Sequence, residues 1–150
     1  MTEITLQVLI TLLASLFSGI TLFLASVLRR TFEDLTEAEY YVVFTRIIRY
    51  GRRSLLIYVV IAVPSLALMV YLAAYGLSDL LFIVGGLSYV IGSLGLSLSF
   101  NEPTYTRLLA ASRTDNEAIV RLRRRVNNGN IARATVSTTG VLLMGLALIT

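Results

Sequence analysis

The chain has 150 residues, 56% of them apolar, with a mean hydropathy of +0.78. A body this small has too little interior to hide so much apolar surface, which excludes an ordinary water-soluble domain and leaves lipid as the solvent. Cysteine and histidine are absent, which excludes disulfides, thiolate chemistry and the commonest general base and metal ligand.

Ile4 to Leu28 carries no charge over 25 residues, longer than the roughly 20 that a bilayer core requires. It is too long for a signal-peptide core and lacks a basic residue before it, so it reads as a retained first span. "TEAE" at Thr36 to Glu39 has the pattern of a capping box. Tyr40, Val43, Phe44, Ile47 and Ile48 come next at helical spacing, predicting an amphipathic helix in the membrane interface or extending a span. Ser54 to Tyr75 is the second span, with Pro64 as a candidate kink. "GLSD" at Gly76 to Asp79 predicts a tight turn, and Leu80 to Phe100 is the third span.

Pro103 suits the first turn of a further helix, on which Tyr105, Leu108 and Leu109 share a face. "TDNE" at Thr114 to Glu117 repeats the capping pattern ahead of Ile119, Leu122 and Val126. Ile131 to Thr150 is the fourth span, interrupted by Arg133. The prediction is thus a single all-α membrane domain over 1–150. Its spans lie near 4–28, 54–75, 80–100 and 131–149, and two amphipathic segments join them.

Arginine supplies all thirteen basic residues, against nine acidic ones. Six lie between 29 and 53 and six between 101 and 130, and four crossings put both stretches on one side. Positive-inside bias makes that side cytoplasmic, with both termini outside a cell membrane. The basic charge reads as a topology signal and a contact with lipid headgroups rather than a nucleic-acid surface. Ser88 with Gly92, and Gly95 with Ser99, form small-xxx-small pairs that bring helix backbones together, within the bundle or in a homo-oligomer. No metal-ligand constellation, nucleotide loop or cofactor motif is present.

The third span ends in "SFNEP" and the fourth begins after "VNNGNIAR". Asn101, Glu102, Asn130 and Arg133 therefore meet at one membrane face. Asn130 is the expected N-cap of the last helix after a turn at Gly129. Arg133, in the first turn, then needs compensation, by snorkelling to lipid headgroups or by pairing with Glu102, and a Glu102–Arg133 contact is expected.

The order of "FSGITLF" with Gly19, the arginines closing the first span, "NEPTYTRLL" and "NIAR" resembles the anthrone-oxygenase-like group of small four-span membrane proteins. Val126 stands where that group has tryptophan, and Thr104 where it has asparagine. The resemblance implies a four-span fold and, for some relatives, cofactor-free oxidation of anthrones to quinones. On that reading Glu102 would be the base, Arg133 or Asn130 the oxyanion donor, and Tyr89 or Tyr105 would position a ring. Pairing with Arg133 would make Glu102 a poorer base. The composition itself favours a non-catalytic bundle that interacts with lipids or a membrane protein partner. A small transporter of hydrophobic compounds is the remaining alternative, and it lacks the span-embedded carboxylate that small multidrug carriers use.

Overall fold

A computed structural model describes residues 2–150, and among them every regular element is helical. Five continuous helices occur in order: α1 Glu3–Glu33, α2 Glu37–Gly51, α3 Leu55–Tyr75, α4 Leu80–Ala110 and α5 Asn116–Ala147. Helices α1, α3 and α4 are long and apolar enough to cross a membrane. The apolar half of α5 is diluted by Arg133 and by Thr135, Ser137, Thr138 and Thr139.

Two cores are stacked along the bundle. The first joins Leu6, Ile10, Ala14 and Phe17 of α1 with Val60, Leu68 and Tyr71 of α3, Phe82, Ile83 and Tyr89 of α4 and Met144 of α5. Leu12, Leu16, Leu66, Met69, Val84 and Leu142 point outward and are exposed. An apolar coat around an apolar core is what a lipid solvent permits.

The second core sits at the arginine-rich end. Tyr40, Phe44 and Ile48 of α2 pack on Phe32, Leu108, Ile119 and Val126. The capping box is formed: the Thr36 and Glu39 side chains each serve the other's backbone amide. Hydrogen bonds from Thr36 hold the Glu39 carboxyl below its usual range. Most of the apolar face of α2 is thus covered by α1, α4 and α5, while Val43 at its edge stays exposed. Arg123 of α5 fastens this layer, donating to the carbonyls of Phe32 and Leu35 and lying 4.9 Å over the Tyr40 ring. Burial pushes the Tyr40 hydroxyl well above its usual range, and Arg123 offsets part of that shift.

At the opposite end the expected turn is present. Gly76 takes φ +63°, and Asp79 caps α4 by accepting from the Phe82 amide at 2.9 Å. Tyr71 and Ser78 both donate to Glu3, each at 2.7 Å, while Gln7 donates to Tyr71 and Asp79 at 3.1 and 3.0 Å. This network ties the start of α1 to the α3–α4 hairpin.

Helices α4 and α5 are in backbone contact. A Cβ on Gly85 would lie 2.7 Å from the Gly140 carbonyl oxygen, and one on Gly92 would lie 2.6 Å from the Ser137 nitrogen. The expected role of Gly92 in packing is therefore filled inside the chain, which leaves it no access to a second copy. Ser88 is half-buried, whereas Gly95 and Ser99 are exposed, and a Cβ on Gly95 would meet nothing closer than Ile91 of its own helix. Gly85 and Gly140 form a further tight contact, beyond the pairs read from sequence. The hydroxyls of Thr11, Ser15 and Ser26 bond to carbonyls of their own helix.

The polar segments are more helical than the sequence suggests. Helix α4 continues through Pro103, and α5 is capped by Asp115, which accepts from the Ala118 amide. Asn130 is therefore no N-cap and Gly129 makes no turn. Both lie in the middle of a 32-residue helix, where tertiary contacts outweigh their weak helix propensity. Arg133 likewise lies far from a helix start, so no dipole argument applies to it.

Candidate binding site

A cavity of about 610 Å³ lies where the two cores meet, within the range of small-molecule sites. Phe17, Ile20 and Leu24 of α1, Ile47 and Ile48 of α2, Ile57 and Ile61 of α3, and Leu94 and Leu98 of α4 form apolar walls. Helix α3 packs mainly on α1, and the cleft separates its first turns from α4. The Tyr89 hydroxyl spans from α4 to α3, donating to the Val60 carbonyl at 2.6 Å. It is buried in the core rather than presented to a ligand.

The cleft-facing side of α4 contains two π-helical turns, Ile91–Gly95 and Ser97–Asn101, and α1 contains another at Leu24–Leu28. Each widened turn shifts the helical phase of the residues beyond it. The last one ends just before Pro103, whose ring would otherwise press on the carbonyl of Ser99 and which lacks an amide hydrogen. Asn101 is thereby aimed at α5 and Glu102 at the end of α2.

Asn101, Asn130 and Arg133 come together as expected. The Asn101 amide donates to Asn130 Oδ1 at 2.9 Å and to the Tyr105 hydroxyl at 3.1 Å. Its own Oδ1 has no hydrogen-bond partner and presses against Gly129, where a Cβ would overlap it. That close approach is the reason this helix position suits glycine.

Arg133 is 8% exposed and lies over Phe17, 5.3 Å from the ring centroid. Its Nε has no hydrogen-bond partner. The Tyr105 hydroxyl lies within hydrogen-bonding reach of the guanidinium, while the more distant Glu102 contributes only through its charge. Among the described residues no carboxylate forms an ion pair with Arg133.

The expected Glu102–Arg133 contact is replaced by another. Glu102 Oε2 accepts from Arg52 at 2.6 and 3.1 Å, and Arg52 also donates to Thr106 at 3.0 Å. The sequence reading missed Arg52 because its place depends on the end of α2 reaching α4. This pair closes the polar rim of the cleft, and both side chains are over a third exposed. A double-mutant cycle of Arg52→Gln with Glu102→Gln is expected to show coupling of about 0.2–1 kcal/mol in unfolding free energy. The cycle of Glu102→Gln with Arg133→Gln should be nearer to additive; the reverse ranking would contradict the observed pairing.

Chemically, the site joins a long apolar slot to a buried cation with unfilled donor capacity. Glu102, the candidate base, is held by Arg52 at the rim rather than poised inside. No group of three or more acidic residues suited to a metal ion is present among the described residues. No family model, curated protein or solved structure matches the chain.

Proposed function

We propose that the protein is a four-span cell-membrane bundle, N-out and C-out, that holds an amphiphilic compound taken from the bilayer without transforming it. The observation that carries this reading is the buried Arg133 guanidinium, with its unpartnered Nε, facing a cleft walled by apolar side chains. A cavity of this kind offers an apolar tail a lipid-like environment and its head a hydrogen-bond donor.

Two features support a fourth crossing by α5. Its apolar half lies against α4 from Ser137 to Met144, at the depth of Gly92 to Gly85. Its end packs with Phe82 and Leu6 at the Gly76 end of the bundle. The arginines gather at the other end, which positive-inside bias assigns to the cytoplasm. The oxygenase alternative requires a free base beside the slot, and the engagement of Glu102 by Arg52 weighs against it.

Gentle release from lipid nanodiscs into a mass spectrometer, followed by organic extraction, tests the reading. One amphiphile per chain is expected in the native protein and none in Ile61→Trp, whose indole fills the cleft. Release of bare protein, or equal retention by the variant, would sink it.

A further inference from the structure

We propose that the compound held in the cleft is a long-chain carboxylate, its head bound by Arg133. This rests on the reading of the cleft as a binding site and specifies the chemistry of its ligand.

Charge sets the first constraint. A guanidinium stays protonated in proteins, and burying it without an anion is costly. Arg133 is more than nine-tenths buried and its Nε is unpartnered. The carboxylate that the sequence offers as its partner, Glu102, is bonded to Arg52 instead. Phe17 covers one face of the guanidinium, leaving its in-plane donors as the route to compensation. The missing counter-ion therefore has to come from outside the chain.

Geometry narrows the class. A carboxylate presents two coplanar oxygens that match one guanidinium edge, and such forked contacts are the strong ones. A phosphate head carries more oxygens than one arginine satisfies, and Arg52, the other cation on the lining, is already neutralised. The Tyr105 hydroxyl accepts from Asn101 at 3.1 Å, and as a donor it has a long 3.5 Å contact to Asn130, so its proton can turn to the same head. The remaining walls are apolar along α1 and α3, which suits an unbranched hydrocarbon tail entering from the bilayer side.

The test uses the full-length protein in maltoside micelles, with the fluorescence of cis-parinarate and of its uncharged methyl ester as binding signals. The acid is expected to bind about 10- to 100-fold more tightly than the ester, the range for a buried charge-assisted pair. Arg133→Gln should erase that difference while leaving ester binding in place, and Arg133→Lys should restore part of it. Equal affinity for acid and ester in the native protein, with both lost in Ile61→Trp, would overturn the carboxylate assignment and leave the cleft reading standing. Binding of neither probe above the Ile61→Trp background would overturn both. Should Arg133→Gln fail to fold, the comparison of acid with ester in the native protein decides alone.

Discussion

Replacing Gly140 by leucine is expected to pry α4 away from α5 and to cost at least about 3 kcal/mol of stability, since overpacking against an unyielding surface exceeds the usual penalty. A Cβ at this position would meet the Gly85 carbonyl oxygen at 2.5 Å and the Tyr89 nitrogen at 2.6 Å. Both are backbone atoms of a helix, so no rotamer change relieves the clash. Where the surrounding solvent is as apolar as the side chains, close packing takes over much of the role that hydrophobic burial plays in water. Gly145→Leu is the matched control, because a Cβ there meets nothing within 4 Å. Thermal unfolding in detergent, followed by circular dichroism, should give a markedly lower midpoint for Gly140→Leu and a nearly native one for Gly145→Leu. Equal midpoints would mean that the α4–α5 seam is wrongly placed.

The second large effect is expected at Gly129. Alanine there would overlap Asn101 Oδ1 and force that side chain out. Its bonds to Asn130 and Tyr105 would break with it. The cost should be about 1–3 kcal/mol from overpacking and the buried amides left unpaired. The cavity would lose its polar end, so retention of the bound amphiphile should fall as well. Asn101→Ser in the Gly129→Ala background removes the overlapping oxygen and should recover part of the loss. The cycle of the two changes is then strongly non-additive. Additive destabilisation would contradict the direct contact between the two residues.

These two glycines mark the limits of what the sequence discloses. The uncharged runs that begin at Ile4, Ser54 and Leu80 read correctly because length and apolarity suffice to define a helix for lipid. The "TEAE" cap and the "GLSD" turn read correctly because each is local chemistry. "VNNGNIAR" misleads because its asparagines and glycine carry the local signature of a helix boundary. In the fold, Gly129 is small to admit Asn101 from another helix, and Asn130 has that same residue as its partner. Neither reason is visible without α4 in place.

The polar site was legible in part, for a similar cause. That Asn101, Asn130 and Arg133 share one level is evident from the ends of adjacent apolar runs. The partner of Glu102 is not, because π-helical turns on α4 break the 3.6-residue phase used to assign faces. Arg52 likewise read as one of several cytoplasmic arginines. Its contact with Glu102 appears only once α2 folds back over the bundle, a consequence of the second core around Phe32 and Phe44. The Gly85–Gly140 contact was hidden in another way: half of it lies on α5, away from the glycine-rich stretch of α4.

The proposed site and the proposed ligand both rest on the proposal that four helices cross the membrane, with the Arg133 end of the bundle toward the cytoplasm. The absence of native cysteine makes single-cysteine labelling the most direct test, with Ser112→Cys in the α4–α5 turn and Thr150→Cys at the end of the chain. With a membrane-impermeant maleimide on intact cells, Thr150→Cys should react at once and Ser112→Cys only after permeabilisation. Reaction of both from one side would leave α5 outside the bilayer and contradict the four-span account.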